Sequence, residues 1–329
     1  MAKHPTIEIG IVPFPGAQLA AIYGLIDLFK IADTYAARHF GEDSVFLRVT
    51  QRLPPALAPI ANERLGIELK TDKAPTVLIL PPKLGTPLTA EEAMPYADWL
   101  IACHKKGTVL ASACGGAFML AEAGLLDGRL VTTHWDHAEV FESRFPDARL
   151  DVDKLIIDDG DIISAGGLMA WVDMGLKLVD RFLGPVVMVE TARYMLVDPP
   201  GREQRYYSAF SPNLNHGDAS ILKVQHRLQA EGAKDVSLGA LASIAGLEER
   251  TFLRRFRKAT GLTAGDYCQR LRVGKACELL QFSAAHVETI AWQVGYSDPS
   301  AFRKVFLKIT GLTPGDYRRR FNVNPPQGH

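Results

Sequence analysis

Cys114 is the residue of this sequence best placed to do covalent chemistry. It stands in ASACGGAF (111–118), where an apolar run of strand character meets two glycines and then a helical stretch, GAFMLAEAG. A strand-to-helix turn of that kind presents its side chain near backbone N–H groups and the positive end of a helix. Such a setting lowers a thiol's pKa and suits nucleophilic attack, and it suits equally the gripping of a ligand's carboxylate. A buried, inert cysteine is the commoner outcome of the turn taken alone.

A second group of residues is cationic. Arg250, Thr251, Arg254 and Arg257, flanked by Arg255 and Lys258, share one segment, and Ser300, Arg303, Lys304 and Lys308 share another. In the first, Phe252, Phe256 and Ala259 recur at i, i+4 and i+7, so the segment is a helix with an apolar stripe and the cations opposite. A helix fits the major groove of DNA, where Arg or Lys meets guanine O6 and N7 and flanking cations meet phosphate. Solvated faces of a helical bundle would read similarly.

The elements that position these cations settle the preference. GLTAGDY (261–267) recurs as GLTPGDY (311–317), and at that offset of 50 Phe252 falls on Phe302, Phe256 on Phe306 and Gly261 on Gly311. The C-terminal third therefore holds one helix–turn–helix unit twice, at about 237–260 and 287–310. Gly246 and Gly261 are stops, Ser297 or Asp298 is a cap ahead of Pro299, and Thr263 and Thr313 cap the helices that follow. Two copies with matching stripes, caps and cationic faces favour double-stranded DNA as the partner.

Charge divides the chain the same way. The 329 residues carry no net charge, yet residues 1–215 hold 20 Lys and Arg against 27 Asp and Glu, while 216–329 hold 17 against 10. A basic third attached to an acidic remainder implies two tasks, one of them on a polyanion.

The acidic part alternates short β-branched runs (6–13, 45–51, 76–82, 108–113, 129–134) with helical stretches, which predicts an α/β sandwich with a mostly parallel sheet. Residues 154–167 read as a hairpin turned at Asp-Gly, followed by a helix from about Leu168. The expected division is a domain over 1–197, a Pro- and Gly-rich linker over 198–217 and an all-α domain over 218–329. Four cysteines without CxxC spacing, an N-terminus without a signal-peptide core and no apolar run of membrane length predict a reduced, cytoplasmic protein away from the membrane. No P-loop, dinucleotide fingerprint or paired metal-ligand motif occurs, so neither a cofactor nor a metal is expected.

Two resemblances sharpen these expectations. Residues 235–321, above all VETIAWQVGYSDPSAFRKVFLKITGLTPGDYRRRF, resemble the AraC/XylS family of transcriptional regulators. That implies recognition helices reading two successive major-groove segments about one turn, roughly 34 to 36 Å, apart. Carried over by position, Arg250, Arg254, Ser300, Arg303 and Lys304 are the base readers.

ASACGGAFMLAEAGLLDGRLVTTHW resembles the elbow of the PfpI-like branch of the class I glutamine amidotransferase-like superfamily. It is nearest the version fused to AraC-type domains in GlxA-like regulators, and it implies a flavodoxin-like fold. In enzymes of that superfamily the elbow cysteine works with a histidine, and His134 matches one family position for it. Two departures count against catalysis: Gly115 stands where the proteolytic branch has histidine, and Ala21 stands where the acidic partner is expected. Glu8 and Asp27 match no motif.

The resemblance thus implies a sensing pocket at the elbow, read here as Cys114, Gly115, His134, Trp135 and Gly167; by their positions, Trp135 and Trp171 would offer aromatic faces to a cationic head group. It implies an effector of amine or amino-acid type, a homodimer and contacts with RNA polymerase. Together the readings point to a ligand-responsive regulator, an activator rather than an enzyme. The rivals are a bifunctional cysteine hydrolase or lyase carrying a DNA-targeting module, and an architectural DNA-binding protein.

Overall fold

The computed structural model describes residues 6–41, 46–57, 74–201, 203–207, 210, 212–214, 216–234 and 236–323. The chain divides into two compact units, Met1–Gln204 and Arg205–His329.

The first unit is built on a six-stranded sheet. Its strands are β1 (Ile7–Ile11), β2 (Leu47–Gln51), β3 (Val77–Leu80), β4 (Val109–Ala113), β7 (Ile156–Asp158) and β8 (Ile162–Ala165), in the order β2-β1-β3-β4-β8-β7. All neighbours are parallel except β7 and β8, the hairpin expected at Asp-Gly. The interior strands β3 and β8 are buried along their whole length, as runs covered on both faces must be. Residue 45 of the expected second strand lies outside the described residues.

The run at 129–134 departs from expectation. Only Leu130–Val131 (β5) is extended, and it pairs with Arg149–Leu150 (β6) in a separate two-stranded sheet. The next residues, Thr132 and Thr133, are buried and spend their hydroxyls on loop carbonyls, Lys154 O at 2.9 Å and Cys114 O at 2.8 Å. The helix expected from Leu168 begins at Trp171 instead, after a turn.

Among the described residues six helices cover this unit: α1 (Leu19–Phe40), α2 (Ala90–Lys105), α3 (Ala117–Glu122), α4 (Ala138–Arg144), α5 (Trp171–Leu183) and α6 (Pro185–Met195). Thr89 and Glu92 form a reciprocal capping box at the start of α2. Helices α1 and α5 approach closely through glycines, since a Cβ on Gly175 would lie 3.0 Å from Leu25 and Leu28. The Trp171 indole fills the notch left by Gly24 and is only 6% exposed. Trp171 is therefore core and offers no open aromatic face, contrary to the sequence-based expectation.

A charged cluster ties α2 to the β7–β8 turn. Arg129 donates to Asp161 at 2.6 and 3.1 Å and to Asp159 at 2.9 Å, and His104 Nε2 lies 2.7 Å from Asp161. The guanidinium beside it holds the Asp161 carboxyl well below the usual carboxylate range. A carboxyl depressed on folding stabilises above its unfolded value, about pH 4, and loses that contribution as pH falls through the folded value. The stability gap between wild type and Asp161→Asn is therefore expected to be full at pH 7 and to narrow below pH ~4 in urea titrations. A gap independent of pH would count against the pair.

The second unit is all helical: α7 (Ala219–Glu231), α8 (Leu238–Ala245), α9 (Glu249–Thr260), α10 (Ala264–Phe282), α11 (Val287–Gln293), α12 (Pro299–Thr310) and α13 (Pro314–Phe321). It contains two cores. Leu241, Phe252, Phe256 and Tyr267 belong to one, and Val273, Ile290, Phe302, Phe306 and Tyr317 to the other. Helix α10 supplies residues to both. Gly246, Gly261 and Gly311 end their helices in the left-handed region, and Ser237, Thr263, Asp298 and Thr313 cap with their side chains.

The segment expected as a linker is occupied at both ends. Glu203 pairs with Lys154 at 3.0 Å within the first unit, and His216 lies 2.7 Å from Gln225 within the second. Residues 202, 208, 209, 211 and 215 lie outside the described residues.

Candidate functional site

In the first unit the site grows from the end of β4. Ala113 is still extended, and Cys114 turns to a φ of 51°, one of three described non-glycine residues in the left-handed region. A single helical turn, Cys114–Gly116, then leads into α3. Backbone strain at such a junction is a recurrent property of functional turns. Gly116 must be glycine, because a Cβ there would sit 2.5 Å from the carbonyl oxygen of Leu80. A Cβ on Gly115 would lie 3.3 Å from Lys83 Cβ, so the histidine of the proteolytic branch would displace Lys83. Lys83 is itself held by Glu92, with Nζ 2.8 and 2.9 Å from its oxygens.

The Cys114 thiol is 2% exposed. Burial pushes its pKa up to about 11, against the smaller opposing effect of the Gly115 N–H. His134 is half-buried and its pKa is lowered, first by burial and then by neighbouring His137, with Asp136 opposing. At neutral pH the pair is a thiol and an imidazole, without the thiolate that attack requires. His134 Nδ1 accepts the Asp136 N–H at 3.1 Å, and its ring lies beside those of Trp135 and His137. Among the described residues no hydrogen bond joins it to the thiol.

Ala21 is fully buried, Glu8 pairs with Arg48 and Arg52, and Asp27 points to solvent, so none supplies an acid to the elbow. With its pKa pushed up by burial, the Cys114 thiol stays protonated at pH 7. Iodoacetamide followed by peptide mapping is therefore expected to modify Cys114 slowly at pH 7 and faster only toward pH ~10. Ready alkylation at pH 6 would overturn this.

The other residues expected to line a sensing pocket share the same end of the sheet. Thr133 Oγ1 donates to Cys114 O at 2.8 Å, which sets the His134–Trp135 loop beside the elbow. Gly167, with a φ of 93°, follows β8 two residues past Ala165, the partner of Ala113.

Two residues of this site went unread in the sequence. Gln204, 2% exposed, donates to Thr133 O and Val152 O, both at 2.9 Å, and accepts the Trp135 N–H at 2.9 Å. It pins the histidine loop from a segment read as linker. Gln18 stands buried at the N-cap position of α1 without a side-chain capping bond; its Nε2 makes one long contact, 3.8 Å, to Met169 Sδ, while its Oε1 has no hydrogen-bond partner. Its backbone N–H donates to Pro82 O, beside Lys83 and the elbow. A polar residue at a helix start was the only signal available.

In the second unit Arg250, Arg254, Arg257 and Lys258 stand exposed on α9, and Ser300, Arg303, Lys304 and Lys308 on α12. Thr251 is half-buried at the edge of the first face. Arg255 does not join the others: its guanidinium grips Asp218, the cap of α7, at 2.9 and 2.6 Å. Arg303 is ion-paired with Glu288. Arg272, on α10, donates to Ala233 O at 2.7 Å and to Gly295 O at 3.3 Å, tying the two halves together.

An α/β unit with a cysteine elbow and a unit of paired helix–turn–helix motifs thus make up the chain. A model of the DJ-1/PfpI family matches residues 65–181, and a helix-turn-helix domain model matches residues 241–320. The chain joins a DJ-1/PfpI domain to an AraC-type helix-turn-helix domain.

The chain is 32% identical over 190 residues to the HTH-type transcriptional regulator GlxA of Rhizobium meliloti (strain 1021), covering 57% of this chain and 58% of that one. It is 27% identical over 210 residues to the HTH-type transcriptional regulator CdhR of Pseudomonas aeruginosa, covering 63% and 62%. An isonitrile hydratase of Pseudomonas putida is 24% identical over 194 residues, covering 57% of this chain and 75% of the enzyme. The matches thus span 58% and 62% of the two regulators' lengths. Among the described residues no helix is long and apolar enough to cross a membrane.

Proposed function

We propose that this chain is a cytoplasmic, ligand-responsive, sequence-specific DNA-binding regulator of transcription that activates an operon of small nitrogen compounds. The observation that carries the reading is the duplicated helix–turn–helix with exposed cations on both second helices. The effector, of amine or amino-acid type, occupies the elbow region of Cys114, Gly115, His134, Trp135 and Gly167. Binding there changes promoter occupancy or contact with RNA polymerase in a homodimer, which requires different affinities for the two DNA-relevant states.

Arg254→Ala and Lys304→Ala are each expected to weaken binding to one half of a selected site by ~1–3 kcal/mol. Log affinity should fall steeply with log salt, with about 0.9 lost from the slope per phosphate contact removed. Unchanged affinity in both variants, or a flat salt response, would overturn the assignment.

The likeness to an isonitrile hydratase keeps a cysteine-enzyme reading in view. The buried, protonated Cys114 thiol and the missing acid at Ala21 stand against it. Turnover that disappears in Cys114→Ala would establish it.

A further inference from the structure

The repeat that relates the two helix–turn–helix units also shows where they differ. At the offset of 50, Arg250, Arg254 and Arg257 fall on Ser300, Lys304 and Leu307. Both triplets are spaced i, i+4 and i+7, and both lie opposite the buried phenylalanines of their helices. All six side chains are exposed, Leu307 by 47%, on a face that is otherwise polar. In the first unit Arg250, Arg254 and Arg257 make no ion pair among the described residues. In the second, Arg303 is held by Glu288, and the offset places these two on Leu253 and Leu238, so the first unit lacks that counter-ion.

We propose that the two faces fit chemically unequal stretches of one duplex: the arginine face a stretch carrying guanines, and the Ser300–Lys304–Leu307 face a stretch in which Leu307 packs on the C5-methyl of a thymine. This rests on the reading of the chain as a DNA-binding protein. In the major groove thymine alone presents a methyl group, and guanine presents two acceptors that suit arginine and leave a leucine unmatched. Glu288 cancels much of the Arg303 charge, so phosphate attraction contributes less on this side and the apolar contact more. Leu307 is thus a specificity-determining residue, at the place where the other unit uses Arg257.

The test uses the full chain and a pool of random duplexes, from which bound sequences are selected. Each thymine of the stretch protected by α12 is then replaced by deoxyuridine, which lacks only the methyl. One replacement is expected to weaken wild-type binding about fourfold. Leu307→Ala should bind the thymine and uracil duplexes equally, and Leu307→Arg should select guanine there. If sites are enriched but every thymine of that stretch can be replaced without loss, the Leu307 contact is overturned and the DNA-binding reading stands. If no sequence is enriched, both fall.

Discussion

Phe306→Ala is expected to destabilise the second helix–turn–helix by about 4 kcal/mol. Its ring is fully buried, 5.5 Å from Phe302 and 5.5 Å from Tyr317, where the rings meet edge to face. The core around it is small, so truncation leaves a cavity that few neighbours can close, and two aromatic pairings are lost as well. Denaturant unfolding followed by tryptophan fluorescence reads this, because Trp292 lies on α11 of the same half. Phe256→Ala, its counterpart by repeat, should loosen the first half, where Phe256 packs edge-on to Tyr267 at 5.2 Å. A loss below about 1 kcal/mol in Phe306→Ala would mean that the half is not held by this ring.

Gly116→Ala is expected to cost the first unit about 3 kcal/mol, and Gly115→Ala much less. The difference lies in what each new methyl meets. At Gly116 it runs into the backbone of Leu80, the last residue of β3, and of Pro81 after it, which cannot move without disturbing the sheet. At Gly115 it comes to 3.3 Å from Lys83 Cβ and 3.5 Å from the Lys83 backbone nitrogen, a misfit of a few tenths of an ångström rather than a collision. Thermal unfolding of the two variants side by side measures the contrast. Equal losses would mean that the elbow is not built against β3 as described.

The parts of this molecule legible in the sequence are those written in local periodicity. The stripe Phe252–Phe256, its copy Phe302–Phe306, the stops Gly261 and Gly311 and the caps Thr263 and Thr313 each report on neighbours within a turn or two. The elbow was legible because a lone cysteine before paired glycines is a rare local pattern. What stayed hidden is long-range polar pairing. Gln204 meets Thr133 across 71 residues, Arg272 meets Ala233 across 39 and Arg255 meets Asp218 across 37. Nothing in the spacing distinguishes Arg255, which braces α7, from Arg254, which faces outward. The short strand Leu130–Val131 was misplaced for the same reason, since its apolar run looks like any other strand of the main sheet.

The two cores of the second unit have a consequence for descent with modification. Helices α9 and α12 are each seated on their own phenylalanines, and α10 with Arg272 ties the two halves together. A substitution on one outward face therefore leaves the other half folded and its spacing intact. If the chain reads DNA as proposed, the two parts of its target site can drift separately, and a gene duplication can inherit one part while rewriting the other. Leu307 opposite Arg257 is the mark such independent editing would leave.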